Sequence, residues 1–127
     1  MVTRKELREI YGVRFSWICE PIPAGGSILI TFSKTRLEKY APFDVVTIYN
    51  NSNVQVTAVI NQNSDLMYPV AAKSEREIDK IWCHSLLLRN DSTSTAVDAG
   101  EIIVFFERKG VTADEAAKQQ AKRWLWW

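Results

Sequence analysis

The chain has 127 residues, 46% of them hydrophobic and 24% charged, with a formal net charge of +1. That length supports one domain, or one domain with terminal extensions, and a core that needs no disulfide or metal. The near-neutral charge, with bases interleaved among acids, excludes bulk electrostatic binding of nucleic acid. Residues 1–10 contain five charges and no apolar h-region, so no signal peptide is expected. The longest apolar run in the body, residues 102–106, is far short of a membrane span. A cytoplasmic chain is expected.

The N-terminal segment predicts a short helical arm over residues 1–10. Thr3 and Glu6 form a capping box, and Val2 and Leu7 stand where a hydrophobic staple forms. Leu7 and Ile10 give it one apolar stripe, which needs a neighbour to cover it.

The next segment, residues 11–19, alternates. Tyr11, Val13, Phe15, Trp17 and Cys19 share one face, as in a half-buried strand. Pro21, Pro23, Gly25 and Gly26 mark a loop. Residues 27–32 read as a second strand, apolar enough to be central in a sheet. A polar stretch follows to Pro42, anchored by Leu37 and Tyr40. Residues 45–49 and 54–60 are β-branched runs around Asn50-Asn51-Ser52-Asn53, a strong β-hairpin signal. Residues 66–70 suit an edge strand because of Pro69. Residues 71–80 are charged in alternation and fit an exposed edge or a helical turn. Strands over 81–89 and 101–108 complete the body, the last apolar on both faces.

Seven or eight short strands with polar turns and no interleaved helices predict a mainly β fold. The expected architecture is an antiparallel β-sandwich over residues 11–109, jelly-roll or immunoglobulin-like, with short N- and C-terminal helices. After Gly110 the period becomes helical. Thr112 and Glu115 form a second capping box, and Ala113, Ala117, Ala121 and Trp124 make a narrow stripe. Residues 110–127 are thus expected as an amphipathic helix with a tryptophan-rich tail, Trp124-Leu125-Trp126-Trp127.

Few residues offer chemistry. His84 is the one histidine and follows Cys83 directly, so on a strand the two point to opposite faces and form no dyad. Cys19 and Cys83 are far enough apart in sequence either to pair or to stay free, and buried free thiols are favoured. Glu75, Glu77 and Asp79 would share a face, a solvated edge before a calcium site. Asn50-Asn51-Ser52 and Asn90-Asp91-Ser92 match the glycosylation pattern but read first as turns. No enzyme, metal or cofactor is expected.

The tail is the feature a solitary fold explains least. Three of the five tryptophans fall in the last four residues. They must cover the chain's own sheet, enter another subunit or meet a lipid surface, and a protein partner is favoured. The expected contact residues are Trp124, Leu125, Trp126 and Trp127, then Leu7 and Ile10.

The segments Ile48-Tyr49-Asn50-Asn51-Ser52, Val56-Thr57-Ala58-Val59-Ile60-Asn61, Tyr68-Pro69-Val70-Ala71-Ala72, Leu88-Arg89-Asn90 and Ala99-Gly100-Glu101-Ile102 carry a resemblance. About half the chain resembles small β-sandwich proteins of virus and phage particles, of the head-decoration or fibre-base type. The resemblance implies a non-enzymatic virion component that acts by assembly, as a homo-oligomer or on a larger protein shell, with no cofactor and no catalytic residues. The alternative expectation is a carbohydrate- or other ligand-binding sandwich using Tyr40, Tyr68 or Trp82.

Overall fold

A computed structural model describes residues 13–33, 35, 38 and 41–108. The helical arm over 1–10 and the helix and tail over 110–127 lie outside the described residues, as do Leu37 and Tyr40. Among the described residues there are eight strands: β1 (Val13–Ile18), β2 (Ser27–Thr31), β3 (Val45–Asn50), β4 (Val56–Ile60), β5 (Met67–Val70), β6 (Ser74–Ile78), β7 (Ser85–Asn90) and β8 (Ile102–Arg108). They form two antiparallel four-stranded sheets, in the orders β1-β8-β3-β6 and β2-β7-β4-β5.

The expected strands are present, but two expectations about their pairing are corrected. The β-branched runs at 45–49 and 54–60 do not form a hairpin with each other. β3 pairs with β8 and β6, and β4 pairs with β5 and β7. The reason lies in the connector: its Asn50 and Ser52 side chains are buried and bond back to the chain, so residues 50–55 carry the backbone from one sheet to the other. The hairpin is instead β4–β5. There Asn61 and Gln62 adopt positive φ, Asn63 N donates to Ile60 O and Leu66 N to Asn63 O, so two successive turns close the loop over residues 61–65. The second correction is β2, which is an edge strand. Its apolar richness does not mark a central position, because Leu29 points outward and is 45% exposed. β5 and β6 are edges as expected, and the segment over β6 is strand, not helix.

Alternation decides which residues face inward. Phe15, Phe106, Val46 and Ile78 align across β1, β8, β3 and β6, while Ile28, Leu88, Ala58 and Tyr68 align across β2, β7, β4 and β5. All these side chains belong to, or pack against, one buried cluster. Phe32, just past β2, meets Phe106 edge-on at 4.9 Å between centroids and Phe43 at the same distance. An aromatic knot thus ties the two sheets together.

Candidate functional site

The described residues offer three kinds of surface: the corners between sheets, the outer sheet faces and the sheet edges. At the first corner, fully buried Asn50 ends β3. Its Nδ2 faces the carbonyls of Val54, Val70 and Ala71 at 2.9, 3.2 and 3.2 Å, and its Oδ1 accepts from Ser52 N at 3.0 Å. The second corner repeats the device. Asn90 ends β7, its Nδ2 faces the carbonyls of Thr95, Pro23 and Ile22, and its Oδ1 accepts from Ser92 N at 2.9 Å. Both glycosylation-like triplets are therefore structural. Their asparagines are buried and their amides are engaged, which goes further than a surface turn.

Beside the second corner, a polar cluster sits on the outer face of the second sheet. Asp91 accepts from Thr57 Oγ1 at 2.6 Å, Gln55 Nε2 at 2.9 Å and Arg89 Nε at 3.0 Å. Burial alone would raise its carboxyl. The hydrogen bonds from Thr57, Gln55 and Arg89, with the Arg89 charge, outweigh that and hold it below its usual value.

Next to this cluster an apolar row crosses the whole outer face: Leu29, Leu87, Val59 and Met67 stand side by side on β2, β7, β4 and β5. Leu29 and Met67, at its ends, are exposed. The outer face of the first sheet is different. Phe105 lies under the Arg14 guanidinium at 4.3 Å and against the Tyr49 ring at 5.3 Å, and Arg14 also pairs with Glu107 at 3.2 Å. Ile18 projects from the end of β1 and is 69% exposed.

Cys83 is buried in an isolated bridge to Phe43 and His84 is exposed, both just ahead of β7 and not within the strand expected over 81–89. Cys19 and Cys83 are free, and burial pushes both thiols up to about 12. Among the described residues, no group of three His, Cys, Asp or Glu side chains could hold a metal. Glu75 and Glu77 instead stand exposed along the β6 edge.

Of the aromatic ligand candidates, Tyr68 packs against the core with Arg76 5.2 Å above its ring. Trp82 is exposed, with Arg108 5.9 Å from its ring and Asn61 Nδ2 donating to its carbonyl. Asn61 Oδ1 also accepts from His84 N and Ser85 N, so this one loop asparagine fixes the approach to β7. Tyr40 and the expected contact residues Trp124, Leu125, Trp126, Trp127, Leu7 and Ile10 lie outside the described residues. The paired corner asparagines and the Asp91 cluster were missed in the sequence. The recurring Asn-x-Ser at two strand ends is the signal that points to the corners.

No protein-family model and no curated protein matches the chain. The solved structure of the tobacco streak virus coat protein is similar, with a TM-score of 0.42 and 12% identity, covering 80% of this chain and 89% of that one. At that score the likeness carries no argument about what the chain does.

Proposed function

We propose that the two sheets close as a jelly-roll sandwich and that the chain is a non-enzymatic assembly protein of the virion type. The supporting observation is the strand order. Orders β1-β8-β3-β6 and β2-β7-β4-β5 send every connection except β4–β5 from one sheet to the other. Such an eight-stranded arrangement supports the jelly-roll reading, an architecture that capsid and lectin domains share. The step from architecture to role is an analogy at the level of fold. In this reading Trp124, Leu125, Trp126 and Trp127, with Leu7 and Ile10, dock onto a sister subunit or a shell.

The test is light scattering of the full chain and of a form lacking residues 124–127, with a thermal melt of each. The expected result is a loss of assembled mass with an unchanged cooperative melt. A truncated protein that no longer melts cooperatively would make the tail part of the core and end this reading of it. The second reading, carbohydrate binding, is favoured by exposed Trp82. Glycan binding that is lost in Trp82→Ala and indifferent to the deletion would place it first.

A further inference from the structure

We propose that β2 is a docking edge for a second copy of this chain, pairing antiparallel with the partner's β2 about a two-fold axis at Leu29. This deepens the assembly reading above and rests on it.

The backbone gives the first reason. Asn90 N donates to Gly26 O at 2.9 Å, and these residues lie in the β2–β7 register one step beyond Ser27 and Arg89. Bonded and non-bonded pairs alternate in an antiparallel ladder. Ile28 and Ile30 therefore bond to Leu88 and Leu86, while the N–H and C=O groups of Ser27, Leu29 and Thr31 point away from the sheet. Among the described residues no strand pairs with this side.

The other three edges carry features that oppose strand addition. β6 bears Glu75, Arg76 and Glu77, β5 contains Pro69, and β1 carries Arg14. β2 has no charge, no proline and no glycine.

Its sequence is also self-complementary. Ser27-Ile28-Leu29-Ile30-Thr31 reads the same in both directions apart from the exchange of Ser and Thr. A two-fold axis at Leu29 sets Ser27 opposite Thr31, Ile28 opposite Ile30 and Leu29 opposite itself. Each pair then matches in size and polarity, as an isologous interface requires. The residues that face one another across the axis with free backbone groups are Ser27, Leu29 and Thr31. They form three bonded pairs of two hydrogen bonds each, so all six outward donors are satisfied. The pairing also joins the two Leu29-Leu87-Val59-Met67 rows into one band across eight strands and covers Leu29, the most exposed member of the row.

Cysteine placement tests this geometry in the full chain. In Leu29→Cys the new thiol faces its own copy at about 5.5 Å between Cα atoms, within disulfide reach. In Thr31→Cys the two thiols are offset by four residues, about 13 Å along the strands. Cys19 and Cys83 are buried and do not compete. Mild oxidation should convert Leu29→Cys to a covalent dimer on a non-reducing gel and leave Thr31→Cys a monomer. Leu29→Lys, which sets like charges opposite each other, should halve the mass of the β2-linked species in light scattering with its melt retained. Equal cross-linking of the two cysteine variants, or none in either, overturns the β2 edge. If the wild type is still assembled in that case, the assembly reading survives it. A wild type that is monomeric at every concentration, with no cross-link, overturns both.

Discussion

At the residue scale, the two corner asparagines carry more than their size suggests. An asparagine offers donors and an acceptor on one short arm, which lets it serve a turn and two neighbouring segments at once. Asn50 joins Val54 in its own turn to Val70 and Ala71 at the end of β5, so it holds the corner against the opposite sheet's edge. Asn50→Ala should lower stability by about 3 kcal/mol, because buried carbonyls lose their donor. Asn50→Asp should do at least as much harm, since a carboxylate would face carbonyl oxygens with no proton to offer. Urea unfolding of the two variants measures this, and a loss no larger than that of an ordinary surface substitution would refute the corner role. Asp91 makes a pH prediction of definite sign. Its folded value is depressed, so its contribution is complete above the unfolded value of 3.8 and is lost as pH falls through the folded one. The stability gap between wild type and Asp91→Asn should therefore be constant near neutrality and shrink below about pH 4. A gap that is flat down to acid unfolding would show that Thr57, Gln55 and Arg89 give the carboxylate nothing that an amide lacks.

At the element scale, strand identity was legible and strand partnership was not. Alternation of Phe15 and Trp17 against Arg14 and Ser16 is a local property, and it marks β1 without reference to any partner. Pro69 and the charges of β6 marked two edges for the same reason: a missing N–H or an exposed charge excludes a central place whatever the partner. Pairing is different, because it depends on where the connector sends the chain. Asn50 to Asn53 reads as a hairpin loop, since turn chemistry is similar whether the chain returns to its own sheet or crosses to the other. What separates the two cases is the burial of Asn50 and Ser52, which no periodicity reports. The place of β2 is illegible in sequence for a related reason. An apolar strand in the middle of a sheet and an apolar strand awaiting a partner look alike in sequence, and only the neighbours of Leu29 distinguish them. The tail residues Trp124, Leu125, Trp126 and Trp127 stay where composition put them, as an expectation about contact that the fold does not explain away.

At the scale of the whole molecule, the two sheets have no separate cores. Phe106 on β8 lies between Phe32 and Phe43, with centroids at 4.9 and 5.6 Å, and Phe43 in turn meets Phe15 of β1. Phe43 is itself held by reciprocal backbone bonds with Cys83, on the approach to β7. Loss of the Phe106 ring therefore strips packing from both layers at once. Phe106→Ala should cost about 4 kcal/mol, the range for a fully buried phenylalanine whose site cannot collapse. The chain should still unfold in one transition, because neither sheet keeps an apolar face covered once the other has left. Far-UV circular dichroism follows the strands, and tryptophan fluorescence reports Trp17 and Trp82 together with the terminal tryptophans. In urea the two signals should share a midpoint in the wild type and in Phe106→Ala, displaced to lower urea in the variant. Two separated transitions would mean that one sheet survives alone. The Leu29→Lys change at the β2 edge would then have to be judged against a smaller folding unit, although it should move the monomer's stability by less than about 0.5 kcal/mol as a surface substitution. A single transition means that the shared aromatic core holds both sheets as one folding unit.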